Sequence, residues 1–170
     1  MPNSQFVKPC KSKGSLDLSS EVTIAPFQKH WEIIQFDHQV KSPRDASSGL
    51  ATGRRQHMPL TMTMELGKLF PLFHQMIFTN DTIDKIEIMT YSSRNIGTVA
   101  SAAGKMINTY TVILTNATVC DVRTAMRNIK NPENLKYEMY QEVQFTYQKI
   151  ESIWKEGNIT GMDDWEKHNV

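Results

Sequence analysis

The stretch His57-Met58-Pro59-Leu60-Thr61-Met62-Thr63-Met64 alternates strictly: Met58, Leu60, Met62 and Met64 point one way, and His57, Pro59, Thr61 and Thr63 the other. A period of two is that of a strand with one dry face and one wet face. Pro59 has no N–H for a ladder, so it belongs at a sheet edge or at the strand's start. The same signature recurs outward in both directions. Ile86 and Ile88 alternate with Lys85, Glu87 and Met89. Tyr110, Val112 and Leu114 alternate with Thr109, Thr111 and Ile113, and Val143, Phe145 and Tyr147 with Glu142, Gln144 and Thr146. Val119 and Val122 extend the third of these as a further strand or a bent continuation. Upstream, Ile34, Phe36, His38 and Val40 share one face and Trp31 and Ile33 the other, which predicts a central strand apolar on both sides.

One segment departs from the period of two. Leu72, Phe73, Met76 and Ile77 recur at helical spacing behind Pro71, predicting a helix of about two turns. Phe70 before the proline offers no side-chain cap, which forfeits about 1 kcal/mol. Many short strands with one helix argue for a mainly β fold, antiparallel, as a barrel or sandwich in a single domain over residues 1–170. Four stretches are less regular. Residues 1–29 show only Phe6-Val7 and Val22-Thr23-Ile24 as strand-like. Residues 41–55, rich in Pro, Gly, Ser and Asp, read as a long functional or disordered loop. Gly97 to Gly104 is a loop of small residues, and 155–170 a tail.

Composition narrows the function. The 170 residues carry 19 Lys+Arg against 18 Asp+Glu, so the excess of charge that rewards phosphate backbones or anionic lipids is missing, and neither nucleic acid nor a membrane surface is expected as a partner. The signs are unevenly placed: residues 1–55 lean basic and 151–170 acidic, which suits head-to-tail association weakly. No apolar run nears the ~20 residues that span a bilayer, and no signal-like segment opens the chain, so it is expected to fold in the cytoplasm. The three Asn-x-Thr triplets then read as chance. Cys10 and Cys120 lie far apart and read as free thiols.

No metal spacing of the HExxH kind links the five histidines, and neither a GxSxG elbow nor a phosphate-cradling glycine loop is present, so no catalytic site, cofactor or metal is expected. Adjacent on a strand, Asp37 and His38 point apart. Arg54-Arg55-Gln56-His57 is the densest basic patch, a solvated loop end or a contact to an acidic neighbour. Trp165, after Asp163-Asp164, is an indole either disordered or docked on a neighbouring surface.

Several of these stretches together resemble the Hcp proteins, tube subunits of the bacterial type VI secretion system. The resemblance rests on Gln35-Phe36-Asp37-His38, on Thr52 to Thr63, on the helix after Pro71, on Glu142 to Ile150 and on Gly161-Met162-Asp163-Asp164-Trp165, in the family's order and spacing over roughly residues 30–167. It implies a small two-sheet antiparallel β-barrel with one short flanking α-helix, six copies closing into a ring and rings stacking into a hollow tube. It further implies assembly in the cytoplasm inside contractile sheath proteins, a VgrG spike as cap, secretion of the tube, and small effector proteins carried in the lumen. Residues 41–55 correspond to the family's projecting loop, and Arg44, Arg54, Arg55, His57, Asp163 and Trp165 to candidate subunit or ring contacts. The alternative is a divergent paralogue outside the tube, acting as a cargo adaptor. Too few residues follow Ile150 for a fused toxin domain. Two departures carry structural expectations: Pro9 and few apolar residues suggest a short or frayed first strand, and Trp154 two places beyond Ser152 suggests a bulge or shifted register.

Overall fold

The computed structural model describes residues 4–9, 13–14, 16–20, 22–23, 25, 27–92 and 106–166. The predicted Gly97–Gly104 loop, Cys10 and Ile24 lie outside them.

Among the described residues the chain is mainly β with one α-helix. Strands β1 (Ser4–Pro9), β2 (Trp31–Ile33), β3 (Gln35–Asp37), β4 (Val40–Lys41), β5 (Gln56–His57) and β6 (Leu60–Glu65) precede helix α1 (Leu69–Thr79). Strands β7 (Thr82–Ser92), β8 (Ile107–Ala125), β9 (Tyr140–Thr146), β10 (Lys149–Trp154) and β11 (Ile159–Asp164) follow it. All pairings are antiparallel. The main sheet runs β2-β1-β7-β8-β9-β6-β3, with β10 on β8 and β11 on β10, and β4 and β5 form a second, two-stranded sheet. Because β2 and β3 are consecutive and separated by Ile34 alone, the strand path ends in the segment where it began. Ile34 makes the passage, donating its N–H to the Thr63 carbonyl at 2.8 Å while its side chain stays 61% exposed.

This corrects the expected central strand over 30–40. Its residues form three short strands, since a chain that must leave β1 and join β6 within one residue cannot keep a single ladder. The alternation at 58–64 holds from Leu60 onward, where Leu60, Met62 and Met64 are buried while Met58 stays exposed, and Pro59 stands just ahead of β6. Strand β1 is laddered against β7 along all six residues, Pro9 opposite Ile86 at its end, so it is neither short nor frayed. Val22 and Thr23 belong to no strand.

Helix α1 is longer than read, eleven residues, because Phe70 adopts helical geometry and the helix begins at Leu69, leaving Pro71 in the first turn where its missing N–H costs nothing. No side chain caps its start, as the sequence led us to expect, and Asn80 ends it in the left-handed conformation (φ 53°). Phe73 and Met76 reach the interior, where Trp31, Phe73 and Phe145 meet with ring centroids 5.2–6.3 Å apart. The indole N–H of Trp31 is not stranded there, because it donates to the Leu18 carbonyl at 2.6 Å. Nearby Gly14 is packed so closely that a Cβ would sit 2.2 Å from the Asp81 carboxylate.

Val119 and Val122 belong to the bent continuation of β8, whose register shifts between Val119 and Asp121 and whose Asn116 has φ 50°. Two irregular stretches turn out to be ordered. Residues 41–55 form a hairpin arm, rooted in the β4–β5 pair, bridged at Arg44–Ala51 and closed at its tip by Asp45, which accepts the Ser47 and Ser48 N–H groups at 2.8 and 2.7 Å. Gly49 supplies the positive φ (68°) that this turn needs. The tail contains β11, paired residue by residue with β10, which itself pairs with β8 without a register shift; Trp154 is accommodated with no bulge.

Candidate functional site

The two late hairpins converge where the arm leaves the sheet. Strand β5 presents His57 at the arm's base, and β11 brings Asp163 against it. Tyr147, at the turn between β9 and β10, completes the contact. Arg55 Nε donates to Asp163 Oδ2, and His57 Nε2 lies 2.6 Å from the same oxygen. On its other side His57 Nδ1 is 2.9 Å from the Tyr147 hydroxyl, which is 2.6 Å from His38 Nε2. The Trp165 ring lies 5.4 Å from the His57 ring, and its backbone N–H donates to the Gln148 carbonyl at 3.1 Å. The indole therefore rests against the His57 ring while staying 52% exposed. His57, Met58, Pro59, Thr146, Tyr147 and Trp165 line a mostly apolar cleft of about 240 Å³.

The electrostatics follow from this packing. The His57 side chain is only 4% exposed, against 22% for Asp163 and 41% for Arg55. Burial alone would raise the Asp163 pKa, but the hydrogen bonds from Arg55 and His57 outweigh it and hold the carboxyl below its usual 3.8. The Arg55 guanidinium is raised in turn, first by its hydrogen bond to Asp163. Burial, then the neighbouring His57, lowers His38, while Asp37 opposes them less strongly. Burial pushes the Tyr147 phenol well up, helped by the charge of Asp163, so it keeps its proton. At the arm's tip, the Ser47 hydroxyl and the Ser48 and Ser47 N–H groups hold Asp45 far below the ordinary carboxylate range.

Of the six residues singled out from the sequence, the structure brings Arg55, His57, Asp163 and Trp165 together. Arg44 stays in the arm, its Nη1 donating to the Gly49 carbonyl at 3.1 Å. Arg54 is exposed, with no hydrogen bond or ion pair to a described residue. Sequence reasoning missed His38 and Tyr147 as links between these groups, because residues 109 apart show no spacing signal. What the cluster offers chemically is a fastening. Among the described residues no group of three or more His, Cys, Asp or Glu could hold a metal ion. A larger cleft of about 520 Å³ beside β2 and the start of α1 is lined by Trp31, Glu32, Glu65 and Lys68 among others and by no histidine.

Comparison with known proteins agrees with this architecture. Residues 12–154 match the family model described as "Type VI secretion system effector, Hcp". The chain belongs to the Hcp family. The Major exported protein of Pseudomonas aeruginosa is 34% identical to this Hcp chain over 130 residues, covering 76% of this chain and 72% of the relative. Among solved structures, one described as an Hcp protein superposes with a TM-score of 0.85 at 20% identity over 98% of this chain and all of the other. Hcp1 of the E. coli EAEC 042 pathovar gives 0.76 at 23% identity, over 97% and 99% of the two chains. The structural likenesses establish the Hcp fold; the role of type VI secretion tube subunit comes with membership of the family. No described helix is long and apolar enough to cross a membrane.

Proposed function

We propose that six copies of this chain close into a ring and that rings stack into a hollow tube, assembled in the cytoplasm within the contractile sheath, capped by VgrG and secreted with small effector proteins inside. The single observation that supports association most is where the large apolar side chains are exposed. Half of those among the described residues lie on three protrusions: Leu50 on the arm; Met126, Ile129, Leu135 and Tyr137 on the excursion between β8 and β9; Trp154, Ile159 and Met162 on the β10–β11 hairpin, while others, Phe78 of α1 and Ile34 among them, are exposed elsewhere. Apolar surface gathered this way marks an interface. A heterologous contact that closes by rotation makes a ring, and complementary ring faces stack. In this reading the arm is a contact element, with Arg44 and Arg54 turned to neighbouring copies, while Arg55, His57, Asp163 and Trp165 hold it at the angle at which it meets them. No specific observation favours the adaptor alternative.

Size-exclusion chromatography with light scattering, followed by negative-stain microscopy, tests this. The expected species is six times the 19.5 kDa chain, with sixfold projections. A monodisperse monomer at every concentration would overturn the reading.

A further inference from the structure

An unbroken hydrogen-bonded line of five side chains crosses the base of the arm, from His38 through Tyr147 and His57 to Asp163 and Arg55. The line has a direction. Ionised Asp163 can only accept, so His57 Nε2 carries a proton. In the neutral imidazole Nδ1 is then an acceptor, and it takes the Tyr147 O–H at 2.9 Å. The hydroxyl's one proton is thereby committed, so at its 2.6 Å contact with His38 it accepts, which places a proton on His38 Nε2. One arrangement of protons satisfies every contact. It leaves a single open lone pair on the imidazoles, at His38 Nδ1, which has no hydrogen bond to a described residue.

We propose that this line is a one-proton relay, in which acid reaching His38 is delivered as positive charge to His57, beside Asp163, and tightens the clasp at the arm's base. In the step, a solvent proton bonds His38 Nδ1, the Nε2 proton of His38 passes to the Tyr147 oxygen, and the proton originally on that oxygen passes to His57 Nδ1. Each N–H or O–H bond broken is matched by one formed. His38 ends neutral with its proton on Nδ1, Tyr147 ends neutral, and His57 ends as imidazolium.

The surroundings fix where the charge settles. His57 faces the Asp163 carboxylate at 2.6 Å, and the Trp165 ring at 5.4 Å adds an aromatic face of the kind that attracts cations. Arg55, on the same carboxylate, opposes the charge. Burial disfavours the charged form of both rings, and at His57, only 4% exposed, the Asp163 carboxylate offsets it, whereas His38 has only the weaker pull of Asp37. On β11 and β10 the remaining charged groups are otherwise engaged. Asp164 accepts from the Glu166 N–H at 3.1 Å, and Lys149 pairs with Glu151. The His57–Asp163 contact is thus a hydrogen bond from a neutral imidazole to a carboxylate before the proton arrives and an ion pair after it, until stronger acid neutralises Asp163 and opens it.

Long-range proton–nitrogen spectra of the full chain, labelled with ¹⁵N at histidine only, test the relay between about pH 8 and pH 5, the range in which imidazoles titrate. At the upper end both His38 and His57 are expected as Nε2–H tautomers. On acidification His57 should become doubly protonated while His38 passes to the Nδ1–H tautomer with the same midpoint, with His30 and His74 as internal references. If His38 takes the charge, or keeps its Nε2–H tautomer while His57 titrates, the relay is wrong. In Tyr147→Phe the tautomer change at His38 should vanish; its persistence would equally overturn the proposal. The tautomers are read alike in a ring or a monomer, so failure here leaves the tube reading untouched.

Discussion

The interior of the sheet and the rim where the arm is fastened are held by opposite means. Inside, Trp31, Leu60, Phe73 and Phe145 are fully buried and touch one another through apolar surface alone. At the rim, Arg55, His57, Tyr147 and Asp163 hold through a few directed polar contacts, each with one geometry. Dry packing is proportional to area and insensitive to pH, whereas the rim is worth less and responds to protons. The difference teaches that the barrel is the permanent part of this molecule and the setting of its arm the adjustable one.

The largest effect should come from the interior. Phe145→Ala removes the ring that meets both Trp31 and Phe73, and should cost about 3–5 kcal/mol in urea unfolding; a loss below about 1 kcal/mol would show that the interior is not the seat of stability. Next comes the rim. Asp163→Asn should cost about 1–2 kcal/mol near neutral pH, since hydrogen bonds to a charged group are lost at a partly exposed site. Because the folded-state pKa of Asp163 lies below 3.8, the unfolded chain binds the proton first. The part that comes from the ionisation of Asp163 itself is therefore present above about pH 4 and fades as pH falls through the folded value. Stability measured against pH should have a shallower acid limb in the variant than in the parent.

A smaller effect of opposite sign tests the exception within the interior. Gln141 is fully buried, and neither its amide nitrogen nor its oxygen has a hydrogen-bond partner among the described residues. Gln141→Met should stabilise the fold by about 1 kcal/mol, by removing two stranded polar atoms; destabilisation in thermal unfolding would mean that the amide is satisfied in solution. Smallest is Arg54→Glu, which should change monomer stability by less than about 0.5 kcal/mol yet weaken stacking seen by microscopy. Unchanged fibres would remove Arg54 from the interface. Reversing Arg55 as well confounds the test, because a Glu there would face Asp163.

What could be read from the sequence follows the same division. The strands lining the interior announced themselves because one face is dry, as at Leu60, Met62 and Met64 or Val143 and Phe145. Where the backbone departs from a flat ladder, the period failed. Asn116 in left-handed geometry and the register shift near Cys120 leave β8 readable as two strands or as one bent strand, and the passage at Ile34 makes three strands look like one. Strand β11 reads as part of a tail because it is exposed nearly throughout; the turn residues Glu156-Gly157-Asn158 between two isoleucines are the signal available. At the rim, Arg55, His57, Asp163 and Trp165 were each recognisable as unusual. Their partnership was not, since it depends on two hairpins meeting, and nothing along the chain marks Tyr147 or His38 as the connection.

The passage at Ile34 has a mechanical consequence. Since residues 31–37 serve as both the first and the last plank of the sheet, neither margin can fray without loosening the other. Amide protons of Trp31–Ile33 and Gln35–Asp37 should exchange with solvent as one unit. A subunit fastened like a hoop, with its two ends on a single rivet, shares a sideways load around its whole circumference, which suits a member of a secreted tube.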